Sequence, residues 1–368
     1  MKIAIIADAL DYQYAGIYYY TKELVRALAK IDKENDYLIV RSQSEGDFSK
    51  NVKELIIPTP KFPGGAAYRL FITVPRLLTK EKVDIVVEPR HFGPFNLPSH
   101  IKRITVIHDL SPLRFPQWHE LVSRKLQKFF LPSILRRAHH IITNSQFTAQ
   151  DVRNYFPFTK GKTTGILLGK EVFFKPDENK SILEKYDLNS PYLLHTGTIE
   201  PRKNLSFLLN VFEKVKGTTP SDLQLVLAGK VGWGQSNFLE RVERSPYRND
   251  IKLLGYVPRE HLPAIYTGAT LFIYPSHFEG FGLPALEAMS CGLPTLVSDN
   301  SSLPEIVGTA GLTFPTNDVS FLQNTILSLL NNAPLRQKMA EQSLRRAEEF
   351  SWEKTAKETL TIFENLMK

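Results

Sequence analysis

A single cysteine, Cys291, stands in 368 residues. That excludes an intramolecular disulfide and any zinc site built from several thiolates, and it fits cysteine usage in a reducing compartment. Long apolar runs are missing too. After Met1-Lys2 the stretch Ile3-Ala4-Ile5-Ile6 reaches Asp8 almost at once, and no later stretch approaches the roughly 20 apolar residues of a membrane span. The expectation is a cytoplasmic protein whose membrane contact is peripheral. No Asp-x-Asp pair occurs, so no obvious carboxylate pair would hold Mg²⁺ or Mn²⁺ on a diphosphate. The full Gly-x-Gly-x-x-Gly dinucleotide pattern is absent, and Asp32-Lys33-Glu34-Asn35-Asp36 lacks the glycine and distal glutamate of a calcium loop. Neither a metal nor a cofactor is expected.

What is present is ordinary globular composition, 42% apolar and 23% charged, in a chain long enough for two domains. The net charge of +8 is unevenly placed: residues 1–180 carry 28 basic and 18 acidic side chains, or +10, leaving −2 for the remainder. Such asymmetry marks either a solvated surface or a face for an anionic partner such as phospholipid, nucleic acid or a phosphorylated substrate.

Short β-branched runs alternate with amphipathic stretches, the signature of strand-helix units in a parallel sheet. One series places strands at Lys2–Ala7, Tyr37–Val40, Glu54–Ile57, Val83–Val87, Ile104–Ile107 and His140–Thr143, with a loop at Asp8–Gly16 and a helix at Ile17–Lys30. Within it Leu121–Arg137 reads as a basic amphipathic helix, apolar at Leu126, Phe129, Phe130, Ile134 and Leu135, broken or kinked near Pro132. After a linker between Phe173 and Pro191, a second series runs from Tyr192–Thr196 to Gly311–Phe314. The expected fold is two tandem Rossmann-like, doubly wound parallel-sheet α/β domains facing a cleft, spanning 1–172 and 173–351, with a final helix at 352–368.

The segment from His277 to Met289 follows a strand, passes Gly280 and Gly282 and enters a helix near Pro284. The glycines let backbone approach a ligand closely, and the helix start offers unpaired N–H groups to an anion. Glu279 can accept hydrogen bonds from sugar hydroxyls, and Glu287, read in the first helical turn, can grip a ribose. The plain alternative is a glycine turn whose acids complement the helix dipole. A second loop, Gly197 to Asn204, brings Arg202 and Lys203 to a strand end, where they could replace a metal in neutralising two phosphate charges; a solvated basic turn is the simpler reading. In the first half, His108-Asp109 follows a strand and could position an acceptor hydroxyl, or His108 could be a satisfied structural histidine. Gly16 is a permissive turn before a helix. Tyr256 and Val257 suit a nucleobase pocket and core packing equally well.

These motifs resemble the retaining sugar-nucleotide transferases of glycosyltransferase family 4, which have the two-domain GT-B architecture. The resemblance runs from the Gly16 loop through Val106–Asp109, Thr143-Asn144-Ser145, His195–Thr198, Pro201–Asn204, Ala228-Gly229-Lys230, Gly255-Tyr256-Val257, the Glu279/Glu287 segment and Ser301–Glu305 to Phe350-Ser351-Trp352. It implies a first domain that binds the acceptor and a second that binds the donor, with the last helix packed on the first domain. It also implies that Glu279 contacts the donor sugar, Glu287 the ribose, and Gly280, Phe281, Gly282 and Leu283 the diphosphate and sugar, with Lys203 on phosphate. Many members have an arginine directly after the strand glycine where this chain has Thr198, so the second cation falls to Arg202. Many also have two glycines where this chain has Gly16. The implied donor is a nucleotide-diphosphate sugar, GDP-mannose as first choice, and the implied acceptor a glycan or lipid-linked saccharide.

Two rivals stand beside this reading. One is a different enzyme on the same architecture, such as a nucleotide-sugar epimerase. The other is a basic nucleic-acid-binding module, which no recognised nucleic-acid motif accompanies, so no nucleic-acid partner is expected. An anionic membrane surface is the candidate partner for the helix Leu121–Arg137.

Overall fold

The apolar run near the N-terminus lies inside strand β1 (Lys2–Ile6), where Ile3, Ala4 and Ile5 are wholly buried. A strand covered on both faces belongs to a parallel sheet with helices on each side. In this computed structural model β1 is joined by β2 (Asp36–Arg41), β3 (Val52–Ile56), β4 (Ile85–Glu88), β5 (Lys102–Ile107), β6 (His140–Thr143) and β7 (Thr163–Gly165). They form one sheet in the order β3-β2-β1-β4-β5-β6-β7, every pair parallel. The described residues are 1–12, 15–43, 52–94, 96–119, 121–218, 222–234 and 236–368.

A second sheet repeats the plan. Strands β8 (Tyr192–Thr196), β9 (Gln224–Ala228), β10 (Ile251–Gly255), β11 (Leu271–Tyr274), β12 (Thr295–Ser298) and β13 (Leu312–Phe314) lie in the order β10-β9-β8-β11-β12-β13, again all parallel. Its core gathers Leu193, Leu225 and Ile273 from the strands with Leu208, Phe212, Leu322 and Ile326 from two helices. Each such side chain contributes about 1.5–3 kcal/mol by leaving water.

The chain divides into two units, Met1–Gly169 with Ser351–Lys368, and Lys170–Phe350. The first break therefore falls three residues before the one read from sequence. The terminal helix Trp352–Met367 is part of the first unit and packs on the helix Ala15–Ile31, with the hydroxyl of Thr355 donating to the carbonyl of Leu167 at 2.7 Å. In Ala15–Ile31 the aligned Leu24, Ala27 and Leu28 are all buried.

The helix Leu121–Arg137 runs through Pro132 as one element, so the chain is not broken there. An interior proline costs an exposed helix about 3 kcal/mol, but here Leu131 and Leu135 are buried in a cluster with Ile107, Leu110, Val152 and Phe156, and that packing offsets the loss. Toward its other end Leu126 and Phe129 of the expected apolar face are turned out, Phe129 by 77%, and Leu121 is exposed beside them. The loop read at Asp8–Gly16 contains a short helix, Ala9–Tyr12, and Ala15 already begins the next. The linker contains a short helix as well, Lys180–Lys185. Among the described residues no helix is long and apolar enough to cross a membrane.

Candidate functional site

The order of the second sheet reverses between β8 and β11, and ligands of open parallel sheets bind beyond the strand ends at such a reversal. Two loops leave those ends. The one after β8 turns through Gly197 at φ +123° and carries Arg202 and Lys203 on a single 3₁₀ turn, Pro201–Lys203. Gly229 is crowded against it: a Cβ there would stand 1.9 Å from the Gly197 carbonyl oxygen. The loop after β11 is tied to the first by the His277 amide, which donates to the Arg202 carbonyl at 2.9 Å.

The ties bring the predicted cations onto the predicted carboxylate. Lys203 Nζ donates to Glu279 Oε1 at 2.7 Å and to the Tyr274 hydroxyl at 2.6 Å. Arg202 lies 2.7 Å from Glu279 Oε2 and 2.6 Å from Glu200 Oε1, and donates to the Phe278 carbonyl at 2.7 Å. Lys203 and Glu279 are both buried. Burial works against the charge on Glu279, yet Arg202 and Lys203 outweigh it and hold the carboxyl down at about 2. Burial lowers Lys203 as well, with Glu279 pulling the other way.

The backbone of this loop is fixed from the turn that follows β12. The Glu279 amide donates to Ser301 Oγ at 3.0 Å, and the buried Ser302 hydroxyl lies 3.0 Å and 2.6 Å from the carbonyls of Glu279 and Phe281. Gly282, at φ +110°, then caps the helix Leu283–Ser290, which carries Pro284 in its first turn. A left-handed residue is needed there, and a Cβ would also meet Leu303 at 2.7 Å. The helix start, beside Arg202 and Lys203, presents the positive end of its dipole to an anion.

Glu287 sits in the second turn of that helix, because the helix begins at Leu283, one residue earlier than read. It accepts from the Tyr266 hydroxyl at 3.0 Å and faces Arg259 at 3.4 Å. Tyr266 Oη is also 2.6 Å from Thr196 Oγ1, and Arg259 pairs with Glu171. Burial raises Glu287 above the usual carboxylate range, opposed by Arg259 and the Tyr266 bond. Tyr256 presents an open ring, 66% exposed, with Lys230 Nζ 4.8 Å from its centroid, while Val257 is buried. No local motif marks Tyr274, Tyr266 and Arg259, which reach the site only through the fold, whereas Glu200 stands two residues before Arg202 in the loop Gly197 to Asn204.

In the first unit Gly16 is an exposed residue at the start of the helix Ala15–Ile31. His108 donates from Nε2 to the Pro89 carbonyl at 2.7 Å and packs its ring edge-on to Tyr20 at 5.1 Å. Burial lowers its pKa. Asp109 Oδ1 accepts from the Ser111 amide at 2.8 Å and hydroxyl at 2.7 Å, closing the turn before Ser111–Arg114.

Comparison with known proteins gives one answer. Residues 14–169 match the family described as Glycosyltransferase Family 4, and residues 177–346 match Glycosyl transferases group 1. The O-antigen chain mannosyltransferase B of Escherichia coli is 32% identical over 383 aligned residues that span all of both chains. Among solved structures, the sucrose-phosphate synthase of Thermosynechococcus elongatus covers 100% of this chain and 99% of its own with a TM-score of 0.76 at 20% identity. HepE of Anabaena in complex with UDP and glucose covers 99% and 100% with a TM-score of 0.74 at 17% identity. With two parallel-sheet units of the GT-B type, the chain is a hexose-transferring enzyme and belongs to the group 1 glycosyl transferases of glycosyltransferase family 4.

Proposed function

We propose that the enzyme moves mannose from GDP-mannose, with retention at the anomeric carbon, to a hydroxyl of a lipid-linked polysaccharide acceptor. The observation that carries this reading is the full-length likeness to a protein whose name specifies mannose transfer and an O-antigen chain. In this reading the second unit takes the donor. Arg202, Lys203 and the positive end of the helix Leu283–Ser290 receive the diphosphate, Glu287 the ribose and Tyr256 one face of the base.

The chemistry follows from those charges. As the glycosidic bond to the nucleotide lengthens, negative charge grows on the diphosphate and positive charge on the sugar ring. Lys203 and Arg202 stabilise the first, and Glu279, ionised at neutral pH, holds a sugar hydroxyl and stabilises the second. Lys203 shares its donors between Glu279 and phosphate. The departing diphosphate takes the acceptor proton, so no protein base and no metal are required. His108 and Asp109 in the first unit position the acceptor hydroxyl, and the basic helix Leu121–Arg137 rests on anionic lipid at the cytoplasmic face of a membrane.

The test is product analysis after incubation with GDP-mannose and a mannose-terminated oligosaccharide on an octyl aglycone. A product one hexose heavier, joined in the α configuration, supports the reading. Free mannose alone, a β linkage or an epimerised nucleotide sugar contradicts it.

A further inference from the structure

The first sheet has its own reversal, between β1 and β4, and the residue set at that edge includes an imidazole that the donor chemistry does not use. β4 ends at Glu88, and the chain then turns through His91 at φ +51°, in the left-handed region. A side chain with a Cβ stays in that region only where its surroundings over-determine it. Two such constraints are visible. The Pro89 carbonyl accepts from His108 Nε2 at 2.7 Å, which ties the turn after β4 to the end of β5. Gly93 lies so close under Glu88 that a Cβ would come within 2.2 Å of its carboxyl carbon.

The turn leaves one polar atom without an internal use. Among the described residues His91 Nδ1 is buried and has no hydrogen-bond partner, although the ring as a whole is only partly covered. A buried polar atom of this kind calls for a ligand or a solvent partner. Burial, reinforced by His108 and Arg90 and opposed by Asp109, lowers the pKa of the ring to about 4. At neutral pH the imidazole therefore carries one N–H and one lone pair, which matches a hydroxyl, both donor and acceptor, better than it matches an anion.

We propose that His91 is an acceptor-binding residue, its Nδ1 pairing with a hydroxyl of the acceptor saccharide beside His108 and Asp109. The proposal rests on reading the first unit as the one that takes the acceptor. It accounts together for the left-handed backbone at the strand reversal, the unpartnered nitrogen and the neutral ring.

The experiment uses His91→Gly and His91→Asn, since both residues adopt positive φ readily and neither asks the turn to change. With GDP-mannose saturating and the octyl-linked, mannose-terminated oligosaccharide varied, His91→Gly should raise the acceptor KM tenfold or more, and His91→Asn should recover part of that loss. The KM for GDP-mannose and the thermal stabilisation by GDP should stay within about twofold and one degree of wild type. A glycine variant with the wild-type acceptor KM overturns the proposal, as does an equal loss on the donor side, which would mark a scaffold role. Wild-type turnover in the same assay separates the two levels. If wild type transfers nothing, the functional reading fails and this inference with it; if wild type transfers and the glycine variant matches it, only the role given to His91 fails.

Discussion

Lys203 and Glu279 form one buried ion pair, Nζ to Oε1 at 2.7 Å, across 76 residues of sequence. Removing one member leaves the other desolvated with fewer partners, a loss that reaches about 3–5 kcal/mol for buried pairs. Lys203→Met and Glu279→Gln should each lower stability clearly in urea, and the double variant should lose less than the two singles combined, by about 1–3 kcal/mol. Strict additivity would contradict the pairing.

The same carboxylate is assigned to the donor sugar. Glu279→Ala should cut kcat by 100-fold or more, the scale seen when a preorganised electrostatic group is removed. Steady-state turnover with GDP-mannose reads this directly, and near-wild-type kcat would remove Glu279 from the mechanism.

Much of this site could be read in advance because its parts are local in sequence. Gly280, Gly282 and the two glutamates lie on one strand-loop-helix passage, and Arg202-Lys203 sit in the loop that follows the strand Tyr192–Thr196. What escaped depends on distant contacts. Tyr274 is a β11 core residue until Lys203 reaches it, and Arg259 meets Glu287 only after the chain has folded. Strand β7, Thr163–Gly165, has no apolar run of its own and exists through pairing with β6. Pro132 looked like a break because its local penalty is plain, while the burial of Leu131 and Leu135 that offsets it is tertiary.

Acid stability should fall in two stages. His195 is wholly buried, and burial, helped by Lys203, lowers its pKa to about 3 from an ordinary 6.5. Between those values the unfolded chain binds a proton that the folded one does not, so stability drops as pH is lowered through that window, by up to about 1.4 kcal/mol per pH unit. Glu279 acts lower down. Its folded pKa, about 2, lies below the ordinary 4.5, so its contribution is complete above 4.5 and lost as pH falls toward 2. Urea midpoints taken from pH 8 to pH 4 should show the first stage, to which His91 and His108, likewise lowered by burial, also contribute, and His195→Gln should make it shallower. An unchanged slope in that variant would assign the loss elsewhere.

The helix Leu121–Arg137 exposes Leu121, Leu126 and Phe129 together with Lys125 and Lys128. Each exposed lysine near an anionic membrane adds about 1 kcal/mol of attraction. A Lys125→Glu/Lys128→Glu variant should lose most binding to vesicles containing phosphatidylglycerol while matching wild type on phosphatidylcholine alone. If sedimentation shows wild-type binding to the anionic vesicles, the positive charge of the first half is a solvated surface.

The identity of the donor is read by a turnover and thermal-shift screen over GDP-, UDP- and dTDP-sugars with the octyl-linked, mannose-terminated acceptor. GDP-mannose alone should give rapid transfer, and GDP should raise the melting temperature more than UDP or dTDP does. Equal or greater stabilisation by UDP, with transfer from a UDP-sugar and none from GDP-mannose, would contradict GDP-mannose as the donor.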